Sequence, residues 1–253
     1  MVIAKFTKSP LTEVVCGVEF SAPEFSSVHF GLYWQTIRER FPVLPLDRPP
    51  IGEIELLPIL PKLRRVWFES IDKRQLIQLQ ANRFHYNWRR QNEAEEYPHF
   101  EEIYAKFEQE WQIFQNWWID LSGLPLQPLN YELTYLNQLD STFGWNDPGD
   151  IHKIFTFLGK EWNQFLDKPN VCSSQLEFKL PDNLGTLVVS LNQELRIEDN
   201  SFVVFFVLTS RSIDTNLNLK NWFNASHDYT VKAFLDLLQE EIKQEWGFRW
   251  LAQ

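Results

Sequence analysis

Four polar side chains, Arg83, His85, Asn87 and Arg89, occupy alternate positions in the stretch Q75-L-I-Q-L-Q-A-N-R-F-H-Y-N-W-R89. On a strand they share one side, where two guanidiniums, an imidazole and a carboxamide would suit an anionic ligand or a nucleobase. The same stretch carries a conflict of pattern. Ile77, Leu79 and Ala81 share one face, whereas Phe84, Tyr86 and Trp88 share the other. A side-chain period of two cannot exchange faces without an extra residue or a kink. A bulge or bend is therefore expected near Asn82–Arg83, with the aromatics packed under the following helix.

A second spacing with chemical meaning is E177-F-K179, with Asp167 ten residues earlier. Metal-dependent nucleases of the restriction-endonuclease type hold Mg²⁺ between two carboxylates and polarise water with a lysine. Asp167, however, adjoins Lys168-Pro169 at an expected helix end. The strand then turns at Pro181 into a meander, where a nuclease core would cross over through a helix. A solvated strand face accounts for the triplet better, and a Mg-dependent nuclease is the least supported activity. The five histidines (His29, His85, His99, His152, His227) are scattered, and no Gly-rich phosphate loop, G-x-S-x-G, H-E-x-x-H or C-x-x-C occurs. No catalytic residue, metal site or cofactor is assigned.

The elements that would position these residues follow from periodicity. Phe100, Ile103, Phe107, Trp111, Phe114, Trp118 and Leu121 recur at helical spacing after Pro98 and before Gly123, predicting a helix over 100–121. Trp117 and Trp118 are adjacent and cannot both face the core. A last helix is expected from Ser226 or Asp228 to Trp246, with shorter ones over 30–40 and 150–165. Strands are expected at 11–20, 53–58, 64–71, 75–89, 131–139, 175–180, 186–197 and 202–210, with turns at D72-K-R, D182-N-L-G185 and E198-D-N-S201. The fold class is α+β, a tandem pair of β-α-β-β-β-α units over 1–125 and 126–253, each an antiparallel sheet with helices on one face. That order is similar to the repeated half of TATA-binding-protein-like folds, which by itself implies no function.

Composition narrows the setting. The 253 residues are 44% hydrophobic with a net charge of −10, which disfavours nonspecific nucleic-acid binding outside a local patch such as Arg64, Arg65, Arg83, Arg89 and Arg90. No apolar run approaches the roughly 20 residues of a membrane-crossing helix, so a cytoplasmic protein without a membrane partner is expected. Cys16 and Cys172 read as free buried thiols. The acidic run E93-A-E-E96 with Glu101 and Glu102 suits a helix N-terminus. The strand F202-V-V-F-F-V-L208 has no polar position, so both its faces need cover, by packing, a partner or an apolar ligand.

The blocks S9-P-L-T-E-V-V-C-G-V-E-F20, L79-Q-A-N-R-F-H-Y-N-W-R89 with Y97-P-H-F100, Y131-E-L-T-Y-L-N-Q-L139 and the C-terminal helix ending at Trp246 resemble a sporadically distributed prokaryotic family. That family has no established biochemistry, and the resemblance assigns no site residue. Its patchy occurrence implies an accessory role, such as defence or a toxin–antitoxin-type system. The resulting expectation is a non-enzymatic protein-binding scaffold, acting with a neighbouring gene product or as a homo-oligomer. The alternative is a sensor of a small anionic molecule or nucleotide, using Arg83, His85, Asn87 and Arg89 in a cleft between the units.

Overall fold

The computed structural model describes residues 4–50, 65–159, 165–196 and 201–250. In chain order the strands and helices are β1 (Ala4–Lys5), β2 (Leu11–Ser21), α1 (Ser27–Ile37), β3 (Leu46–Arg48), β4 (Arg65–Glu69), β5 (Gln75–Gln80), β6 (Arg83–Arg89) and α2 (His99–Ser122). There follow β7 (Gln127–Leu139), α3 (Ile151–Ile154), β8 (Ser173–Leu180), β9 (Gly185–Arg196), β10 (Ser201–Arg211), α4 (Leu219–Asp236), α5 (Glu240–Glu245) and β11 (Arg249–Trp250). The fold is mixed α+β with antiparallel sheets. The strand expected over 53–58 and most of the turn at 198–201 lie outside the described residues. Two compact units are present. The first comprises Glu13–Glu132 with Asp214–Leu217, and the second Met1–Thr12, Leu133–Ile213 and Asn218–Gln253. No helix among the described residues is long and apolar enough to cross a membrane.

In the first unit the strand order is β3–β4–β5–β6–β2, antiparallel throughout. The apolar stripe of α2 is buried as its spacing requires, except Leu121, which is exposed in the last turn. Gly123 ends the helix at φ 73°, returning its N–H to Ile119 O. Phe114 lies at the centre of the core, its ring centroid 5.4 Å from Phe20, 5.2 Å from Phe84 and 5.0 Å from Tyr33. Trp118 is buried and stacks on Phe25, while half-buried Trp117 packs against Tyr33. Glu110, buried on α2, is neutralised by a two-pronged contact from Arg40, 2.8 and 2.9 Å. Cys16 is buried, which pushes its thiol well above the ordinary range, and Cys172 is half-buried.

The stretch 75–89 contains no bulge. It is a hairpin, with Gln80 opposite Arg83 and only Ala81 and Asn82 in the turn. A two-residue turn makes positions three apart face each other, so the parity of inward residues reverses on folding back. Ile77, Leu79, Phe84, Tyr86 and Trp88 consequently all reach one core. The turn is held by Asn82, whose carbonyl accepts Phe20 N–H at 2.9 Å and whose Oδ1 accepts Gln80 Nε2 at 3.0 Å. The expected hairpin turn at D72-K-R is present and closed by Ser70, whose Oγ donates to Asp72 and accepts from Gln75 N.

In the second unit the order is β7–β10–β9–β8, with Leu133, Leu139, Leu187, Val189, Leu191, Val204, Phe206 and Leu208 forming the inner face. Two helices differ from expectation. α4 begins earlier, at Asn218, whose side chain accepts Asn221 N–H at 2.8 Å. It ends at Asp236 because the backbone of 237–239 bonds instead to 154–156: Thr156 N to Leu237 O and Gln239 N to Ile154 O. The same exchange draws Phe155 into an extended conformation, so the helix expected over 150–165 is cut to α3; 160–164 lie outside the described residues. Tertiary hydrogen bonds have overridden two local helix signals. On β10 the second face is partly covered: Val203 is buried, and Phe205, Val207 and Thr209 are half-buried; on the inner face Phe202, near the strand's start, is exposed.

Candidate functional site

Alternation along β6 turns Phe84, Tyr86 and Trp88 to the core and Arg83, His85, Asn87 and Arg89 to the opposite face. All four expected residues thus share a surface. Register adds neighbours from every adjoining strand: Glu13, Gly17 and Glu19 from β2, Leu76, Gln78 and Gln80 from β5, Arg65, Trp67 and Glu69 from β4, and Arg48 from β3.

The centre of this face is a chain of hydrogen bonds. Gln78 Oε1 accepts from Arg65 Nη1 at 2.7 Å and from Trp67 Nε1 at 3.1 Å. Its Nε2 donates to Asn87 Oδ1 at 2.9 Å, and Asn87 Nδ2 donates to Glu13 Oε1. Glu13 also accepts Arg89 Nε at 3.1 Å, while Arg89 Nη1 donates to Glu69 at 2.8 Å. At the other end of β6, Arg83 lies 3.4 Å from Glu19 and 4.0 Å from Glu132, which also approaches His85 Nε2 at 4.0 Å. Asn87 is 1% exposed and His85 4%. Every amide in the chain is oriented by a donor on one side and an acceptor on the other, the condition under which a buried polar network is stable.

Gly17 explains the position of His85. The imidazole lies across this residue, and a Cβ there would stand 2.5 Å from His85 Cδ2 and 2.9 Å from Nε2. Gly17→Ala is expected to displace the ring and cost roughly 1–3 kcal/mol in urea unfolding. Gly17→Ala with His85→Ser should recover part of that loss; no recovery would mean the ring is not what the methyl meets.

Charge is balanced across most of the face but not at its edge. Arg48 and Arg65 are directly opposed on β3 and β4. Their guanidiniums lie 4.5 and 5.5 Å from the Trp67 ring, with that of Arg89 at 4.7 Å. Among the described residues no carboxylate forms an ion pair with Arg48 or Arg65, and the Nε atoms of both are buried without a hydrogen-bond partner. Burial and the neighbouring Arg48 charge hold the Arg65 guanidinium below its ordinary value. Arg65 had a sequence signal, since R65-V-W-F-E69 alternates Arg65, Trp67 and Glu69 onto one side. Arg48, on a three-residue strand among prolines, had none.

The other motif residues are not assembled. Glu177 and Lys179 lie exposed on β8, and Asp167 Oδ1 accepts the N–H of its neighbour Lys168. Among the described residues no group of three or more His, Cys, Asp or Glu is placed to hold a metal ion. Glu101 and Glu102 occupy the first turn of α2, while Glu95 pairs with Arg74 at 2.8 Å. Searches of protein-family models, curated proteins and solved structures found no match to the chain.

Proposed function

We propose that this is a non-enzymatic binding protein whose ligand carries a carboxylate or phosphate, received by Arg48 and Arg65 beside Trp67. The supporting observation is that, among the described residues, the positive charge at that edge of the first sheet is not matched by an ion pair. Arg83 and Arg89 already face carboxylates, so the residues singled out by spacing serve as the support. Two adjacent guanidiniums without a counter-charge are costly to hold together, and an anion bridging them removes that cost while gaining forked hydrogen bonds. The test is native mass spectrometry of the purified chain, followed by thermal shifts against phosphate, nucleotides and polycarboxylates. An anionic adduct, or an anion that raises the unfolding temperature, supports the reading. A flat response to the whole series opposes it.

A protein partner, from a neighbouring gene of an accessory or defence system, is the second reading. It is favoured by the cross-strand pair Leu195 and Phe202, 48% and 49% exposed at the turn end of the β9–β10 hairpin. Co-expression with adjacent open reading frames should then yield a complex that Phe202→Asp weakens. The tandem-repeat reading finds support in strand order. With the three-residue edge strand β3 set aside, each unit runs from its first strand outward as first, last, third, second: β2–β6–β5–β4 and β7–β10–β9–β8. Membership of the sporadic prokaryotic family belongs to the same proposal and rests on the sequence blocks alone.

A further inference from the structure

The outer strand of the second unit has a sequence that complements itself. Among the described residues β8 ends its sheet, and it pairs with β9 in an unbroken register from Ser173 opposite Asn192 to Leu180 opposite Gly185. Sheet edges are normally shortened, bulged or interrupted by proline, since their free N–H and C=O groups recruit other strands. The edge strand of the first unit, β3, is protected in this way, being three residues long and followed by Pro49 and Pro50. β8 is followed by Pro181 and carries Glu177 and Lys179, but it runs eight residues without a bulge or internal proline, and five of them are exposed.

A two-fold axis perpendicular to a sheet preserves its faces, so it pairs residues of equal parity and centres on a residue. In L176-E-F-K-L180 an axis through Phe178 sets Glu177 opposite Lys179 of the second copy, and Lys179 opposite its Glu177. Leu176 then meets Leu180, and Phe178 meets itself. Both charged residues are on the open face, where they are exposed, and the 42% exposed Phe178 is on the helix side. Shifting the axis to Glu177 would oppose two glutamates, and shifting it to Leu176 leaves Glu177 against Gln175. Only the Phe178 register matches opposite charges, and it adds an aromatic cross-strand pair.

We infer that β8 is a self-association edge, at which a second copy of this chain pairs antiparallel about Phe178, joining the two sheets. The E-x-K triplet that resembles a nuclease motif becomes the charge code of this pairing. The inference stands apart from anion binding at Arg48 and Arg65.

Sedimentation velocity of the full chain across the micromolar range tests it. Wild type should form a dimer. Glu177→Lys and Lys179→Glu should each weaken association about tenfold or more, because the symmetry repeats every change. The double exchange Glu177→Lys/Lys179→Glu should restore it, with circular dichroism unchanged in all three. A wild-type chain that stays monomeric, single variants that associate as tightly as wild type, or a double variant as weak as the singles would each overturn the inference.

Discussion

Replacing Asn87 by aspartate should destabilise the first unit by about 3 kcal/mol at neutral pH, although it exchanges one NH₂ for one oxygen. Asn87 Nδ2 donates to Glu13 Oε1. The substitution sets two carboxylates against each other at a position 1% exposed. Arg89 Nε, already bonded to Glu13, offsets only part of the repulsion. Two carboxylates sharing a site raise the folded-state pKa of one of them above its unfolded value of about 4. The sign follows: the penalty is absent below that unfolded pKa and grows as pH rises toward the folded one. Urea midpoints of Asn87→Asp should therefore approach wild type as pH falls from 7 to about 5. Asn87→Ala, which takes the acceptor from Gln78 Nε2 and one of two donors from Glu13 Oε1, should cost about 2 kcal/mol with no comparable recovery. Equal stability of wild type and Asn87→Asp at pH 7 would show that the amide is not a link in the network.

Phe114→Ala should be the most damaging single change in the core, at roughly 3–5 kcal/mol. The ring is fully buried and is shared by α1 through Tyr33, β2 through Phe20 and β6 through Phe84, with Trp111 and Trp117 beside it on α2. Flanking aromatics on three elements cannot collapse into the vacated space together, so most of the cavity persists. Phe114→Leu should lose much less. Tryptophan fluorescence during urea unfolding reports the difference, since Trp111 and Trp117 stand next to the deleted ring. A loss below about 1 kcal/mol would mean that another contact holds the helices to the sheet.

What the sequence revealed follows the range of the interactions involved. The α2 stripe was legible because seven apolar residues at helical spacing leave no other solution, and six of them are buried. The shared face of Arg83, His85, Asn87 and Arg89 was legible from alternation alone. The hairpin at Ala81–Asn82 was not. Hairpin turns usually advertise themselves with a glycine at positive φ, and neither residue here adopts one. The face exchange at 81–83 was nonetheless the correct clue, and it meant a turn rather than a bulge. The end of α4 depended on residues some eighty positions away, as did the partners of the candidate site: Glu13 reaches Asn87 and Arg89 only because β2 lies beside β6. Such pairings carry no local signal. The charge imbalance at Arg48 and Arg65, among the described residues, emerges only once strand register has matched Glu13 and Glu69 to Arg89.

Isothermal titration of inorganic pyrophosphate and of citrate into the full chain is the most direct test of anion recognition. The wild type should bind at least one of them saturably, and more weakly as salt is added. The variant Arg48→Gln/Arg65→Gln should bind about a hundredfold more weakly or not at all, while Arg38→Gln, an exposed residue at the end of α1, should bind as the wild type does. A wild type that takes up neither anion, or a double variant that binds as tightly as the wild type, would contradict the account.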